Sequence, residues 1–147
     1  MKIKITYERL FGEFEPAAMV WLASGDNAKT KLGYAINKLR PRIKKERERY
    51  ANKLEDVNID ECSVDEKQNI IRNDEGPPDD QGYVFTKEGK KKRNKRRTEL
   101  WESETEIEAY FATSVPEDLS AADREAFMGI VIEEKAQAAA AISDHEI

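Results

Sequence analysis

The sequence predicts an α+β fold that is predominantly helical: an N-terminal helical hairpin with a long basic helix, then a small C-terminal region of short strands and helix. Three observations carry that expectation. Apolar residues recur at helical spacing from Leu10 to Leu54. Stretches of strand character are short and confined to the first residues and to the region after Tyr83. Hydrophobic residues make up 39% of the chain and charged residues 37%, which describes a modest core under a heavily ionised surface. At 147 residues one domain is expected, with 1–73 mainly helical, 74–82 a loop, 83–134 mixed short strands and helices, and 135–147 an alanine-rich tail.

Residues 2–6 alternate with the period of a strand, while Thr6 is equally suited to cap a helix beginning at Tyr7. Leu10, Phe11, Phe14, Ala17, Ala18, Trp21 and Leu22 then describe one helical apolar face, with Pro16 in a first turn. Residues 24–27 break the pattern, and Asp26 or Asn27 can cap the next helix. Leu32, Ile36, Leu39, Ile43, Tyr50 and Leu54 form a narrow apolar seam on the clearest helix of the chain. Pro41 inside it implies a kink, or two helices meeting near Arg40. Ser63 to Glu66 reads as another helix start leading to Ile70 and Ile71.

Beyond the 74–82 loop, Tyr83 to Thr86 and Thr105 to Thr113 have strand character, with few apolar residues between Lys87 and Trp101. Ser120 to Asp123 resembles the start of a short helix carrying Phe127 and Met128, ended by Gly129, and Ile130 to Ile132 reads as a compact apolar strand. The tail from Lys135 has high helix propensity and little to bury.

Charge is segregated. Residues 28–53 carry +8 and 83–97 carry +7, whereas 54–82 carry −8 and 98–147 carry −11, within a chain of net charge −5. Attraction between these blocks, inside the fold or between subunits, is the simplest consequence. Lys87, Lys90, Lys91, Lys92, Arg93, Lys95, Arg96 and Arg97 are eight cations in eleven residues, a phosphate-binding candidate that lacks interleaved aromatics. The second basic block, Lys38, Arg40, Arg42, Lys44, Lys45, Arg47 and Arg49, surrounds the seam and reads as a polar helix face.

Catalysis finds little support. His145 is the only histidine and stands near the end of the chain, and Cys62, the only cysteine, is flanked by Asp60, Glu61 and Asp65, which disfavour a thiolate. No cofactor, metal ligand set or catalytic residue is assigned, and glycine patterns for nucleotide phosphates are absent. With no apolar run of signal-peptide or membrane-spanning length, a cytoplasmic location is expected.

The stretches Lys31 to Leu39, Tyr83 to Gly89 and Glu99 to Ile107 resemble small uncharacterised proteins of bacteriophages and prophages, which pair N-terminal helices with short acidic C-terminal strands. The resemblance covers a minor part of the chain, and it implies a virus-encoded accessory protein without transferring any site residue. The expectation is therefore a non-enzymatic, phage-type accessory protein acting through protein contacts, in virion assembly or against a host system, and self-associating through the Leu32 to Leu54 seam. The alternative is a DNA- or RNA-binding protein using residues 87–97.

Overall fold

The computed structural model describes residues 1–134, so the alanine-rich tail and His145 lie outside the described residues. The chain, expected as one domain, divides into two compact units, Met1–Glu46 with Ser103–Ile147 and Arg47–Glu102. The architecture is α+β, as the sequence predicts.

In the first unit β1 (Lys2–Thr6) pairs antiparallel with β2 (Glu104–Glu108). The register places Ile3 opposite Ile107 and Ile5 opposite Thr105 on the inner face, and Lys2 opposite Glu108 and Lys4 opposite Glu106 on the solvent face. Each face is thus satisfied in its own way, by apolar burial on one side and opposite charge on the other. Thr6 serves both readings of the sequence: it ends β1, and its hydroxyl accepts from the Arg9 amide, capping α1 (Tyr7–Arg9).

A π-helical turn, Leu10–Phe14, joins α1 to α2 (Glu15–Leu22). It falls immediately before Pro16, which has no N–H to donate and whose ring would press on the carbonyl four residues earlier; a widened turn relieves that clash. After α3 (Gly25–Ala28) the hydroxyl of Thr30 accepts from the Gly33 amide at the start of α4 (Lys31–Glu61). That capping role falls to Thr30 and not to Asp26 or Asn27, which lie within α3. No side chain fits at Gly33, where a Cβ would stand 2.4 Å from the Asn27 carbonyl oxygen. The core gathers Leu10, Phe14 and Ala18, then Leu32, Ala35, Ile36, Leu39 and Ile43 of α4, with Ile107, Leu119, Phe127 and Ile130 to Ile132. Phe14 and Trp21 both meet the Phe127 ring edge-on, at 5.7 and 6.0 Å.

α4 runs unbroken through Pro41, so the alternative of two helices is not needed. Pro41 is on the exposed side, where water can take the carbonyl that the missing N–H would have served. In the C-terminal part of the first unit, α6 (Ala121–Phe127) is capped by the Ser120 hydroxyl, and Gly129 at φ +80° turns the chain after it. Ile130 to Ile132 is a turn and not the expected strand: the Phe127 carbonyl accepts from all three of its amides, and only Ile132 bridges, to Met128. The strand expected over residues 105–113 ends at Glu108.

The second unit holds the remainder of α4, two irregular loops and α5 (Lys87–Glu102). The helix start expected at Ser63 is a tight reversal, in which Val64 bridges Ile70 and the Asp65 carboxylate accepts from the Lys67 and Asn69 amides. Of the strand expected at Tyr83 to Thr86, Tyr83 bridges to Arg72 and the Val84 carbonyl accepts from the Ser63 amide at 2.7 Å, without a ladder forming. A 3₁₀ turn at Pro78–Asp80 then presents its aspartates to α5.

Candidate nucleic-acid interface

The seam residues do not share one free surface. Leu32, Ile36, Leu39 and Ile43 are buried in the core of the first unit, where Leu10, Phe14 and Ala18 cover them. Tyr50 and Leu54 are half-buried in the second unit, and the Tyr50 ring lies 5.9 Å from that of Trp101. The partner that so narrow an apolar row requires is, for its first four residues, the chain itself.

The basic segment 87–97 forms most of α5, and half of its cations turn to acids of the same unit. Arg93 is completely buried. Its guanidinium donates to Asp80 Oδ1 at 2.7 Å and to Asp79 Oδ2 at 3.1 Å, and lies 4.6 Å above the Phe85 ring. Lys90 pairs with Asp80 at 3.3 Å and Arg97 with Asp79 at 3.2 Å. Arg96 reaches back to Asp60 and Glu61 at 3.0 and 3.2 Å. Burial pushes the Asp80 carboxyl up, but the hydrogen bonds and charges of Arg93 and Lys90 outweigh it and hold the group below its ordinary range. The remaining lysines, Lys87, Lys91, Lys92 and Lys95, are exposed, and they share the outward side of α5 with Glu88, Glu99 and Glu102. This face is close to neutral and bears no exposed aromatic ring, so α5 is a poor phosphate ridge.

A different surface has both components. Between Lys31 and Lys45 α4 carries six cations, Lys31, Lys38, Arg40, Arg42, Lys44 and Lys45, and no acid. Because 3.6 residues make a turn, Lys31, Tyr34, Lys38, Arg42 and Lys45 fall along one side of the helix, flanking the buried row. All are exposed except Arg42, which is half-buried and donates to the Glu108 carbonyl at 2.7 Å. Tyr34 is 53% exposed, and its ring meets that of Tyr110, 36% exposed, at 5.8 Å and 72°. Lys38 Nζ stands 5.4 Å from the Tyr34 ring centre. The neighbouring acid, Glu108, is engaged by the Met1 amino group, whose hydrogen bond and charge hold its carboxyl below the ordinary range. Two partly exposed aromatic rings therefore sit beside a run of positive charge.

Sequence reasoning recognises the cations of α4 as a helix face but does not single out the tyrosines. Tyr34, four residues before Lys38 and three after Lys31, is the legible signal; Tyr110 becomes its neighbour only through the fold.

Elsewhere the chemistry is sparse. Burial pushes the half-buried Cys62 thiol up, away from reactivity at neutral pH. Among the described residues no group of histidine, cysteine, aspartate and glutamate is placed to hold a metal ion, and no helix is long and apolar enough to cross a membrane. No protein-family model, curated protein or solved structure matches this chain.

Proposed function

We propose that this chain is a non-catalytic binding protein that holds single-stranded nucleic acid on the exposed face of α4. The observation that carries the reading is the Tyr34–Tyr110 pair set in an acid-free run of six cations. Unpaired bases stack on open aromatic rings whatever their identity, and lysines spaced along a helix meet successive phosphates. At 1.5 Å per residue, Lys31, Lys38 and Lys45 stand about 10 Å apart along the strip. A duplex, whose bases are already stacked, would leave the tyrosines unused.

The test is fluorescence anisotropy with a labelled oligothymidylate and the same strand annealed to its complement. If four cations, Lys31, Lys38, Arg42 and Lys45, neutralise phosphates, raising salt from about 50 to 200 mM weakens single-strand binding about 50-fold. Tyr34→Ala, losing one stacking platform, weakens it by about 5- to 150-fold. Charge reversal at Lys91, Lys92 and Lys95 leaves it unchanged. Absence of binding at low salt, or equal loss on reversing the α5 lysines, would overturn the reading.

A second reading, a phage-type accessory protein working through protein contacts, is favoured by α2. This helix is apolar around most of its circumference, and its outward side presents Val20, 78% exposed, beside Met19. Replacing both with aspartate should abolish a cross-linked band obtained from host lysate while leaving oligonucleotide binding intact; a band that persists removes the reading.

A further inference from the structure

We propose that the outer edge of β1 is a docking edge for an extended peptide in which acidic residues alternate with apolar ones. The site shares no residue with the α4 strip and stands independently of the nucleic-acid reading.

The geometry begins with the ladder. The Ala109 amide donates to the Met1 carbonyl and the Tyr7 amide to the Ser103 carbonyl, in the register that pairs Lys2 with Glu108. In an antiparallel pair the residues that exchange hydrogen bonds alternate with those that do not. The odd-numbered residues of β1 therefore face β2, and the N–H and C=O groups of Lys2 and Lys4 point to the other edge. The sheet has only two strands among the described residues, so no third strand takes those groups. A cleft of about 400 Å³ runs beside Met1 to Ile5, with Arg9, Phe111, Gly129, Glu133 and Glu134 on its other walls, so that Lys2, Lys4 and Arg9 face two carboxylates across it. An added strand needs that combination: unpaired backbone groups in a row and room beside them.

The side chains specify the guest. On the solvent face Lys2 and Lys4 already stand opposite Glu108 and Glu106, and any strand on the outer edge places its own residues beside the same two lysines. On the inner face the intervening residue meets Ile3. The complement is acid, apolar, acid, the pattern β2 supplies from Glu106 to Glu108. A second copy of this chain is a poorer guest, because β1 against β1 in the register that overlaps all of residues 2–6 sets Lys4 opposite Lys4 and leaves Lys2 opposite Thr6, with no acid beside either lysine.

The experiment uses the full chain and two capped peptides of about seven residues, a usual strand length, one alternating glutamate with valine and the other lysine with valine. The glutamate peptide is expected to shift the Lys2 and Lys4 amide resonances and leave those of Tyr34 and Lys38 in place. The lysine peptide, which turns two attractive pairs repulsive, is expected to bind about tenfold or more weakly. Lys4→Pro removes an outward N–H and no bond to β2, so it should abolish peptide binding while the Ile3 and Ile5 amides stay protected from exchange. Equal binding of the two peptides, shifts confined to α4, or full binding by Lys4→Pro each overturn the proposal; if Lys4→Pro unfolds, the comparison of the two peptides decides it.

Discussion

Arg93 shows what one side chain can settle. Its guanidinium has no exposed surface, and Asp80 beside it is itself almost fully enclosed. Arg93→Met fills similar volume but leaves the buried Asp80 carboxylate with the half-buried Lys90 as its one remaining cation, and breaking a buried pair costs about 3–5 kcal/mol, of which Lys90 spares a part. A fall of about 2–3 kcal/mol in the urea-unfolding free energy of the second unit is the expected result. Asp80→Asn tests the same contact through pH. The Asp80 pKa is lower folded than unfolded, so its contribution is complete above the unfolded value, near ~3.9, and is lost as pH falls through the folded one. Acid titration should destabilise the native protein below that point, and Asp80→Asn should flatten that part of the profile. The sequence disclosed the segregation of charge but not this outcome. Nothing in the run from Lys87 to Arg97 marks Arg93 as the buried member, because burial there depends on where the Pro78–Asp80 turn lies.

At the level of elements, α5 escaped sequence reading for a related reason. Apolar periodicity signals a helix that packs by hydrophobic contact, and α5 has little until Leu100 and Trp101. It is held by ion pairs from Lys90 to Arg97 and by a close approach at its start, where a Cβ on Gly89 would lie 2.7 Å from the Glu61 carbonyl oxygen. That contact yields a prediction opposite to intrinsic propensity. In an unhindered helix Gly→Ala stabilises by about 1 kcal/mol. Gly89→Ala should lower the urea midpoint instead, since backbone atoms at α4's last residue must move to admit the methyl group; an unchanged or raised midpoint would show the approach to be loose. By contrast, α4 was legible almost throughout, because its first four seam residues pack against apolar partners at regular spacing. At Pro41 only the alternative of two helices is set aside, since the helix runs unbroken; on its exposed face water can take the carbonyl left without a donor.

For the molecule as a whole, the division into two units has a measurable form, because each holds one tryptophan. Trp21 packs on Phe127 in the first unit, and Trp101 packs on Tyr50 in the second. The apolar cluster around Phe14, Leu39 and Phe127 belongs wholly to the first unit, whereas the second relies on the Arg93 and Asp80 pair with Val57 and Tyr83. The two should therefore respond differently to the same substitution. In a Trp21→Phe background, Arg93→Met is expected to lower the denaturation midpoint read from Trp101. In a Trp101→Phe background it should move the Trp21 midpoint far less. The proposed function adds a second readout, since Lys31 to Lys45 and Tyr110 lie in the first unit. At a urea concentration that unfolds the second unit of Arg93→Met, oligonucleotide affinity should stay within about threefold of the wild-type value in the same urea, a change of roughly 0.6 kcal/mol. If the two tryptophans report a single midpoint and binding disappears with it, α4 transmits unfolding along its length, and the strip depends on both cores.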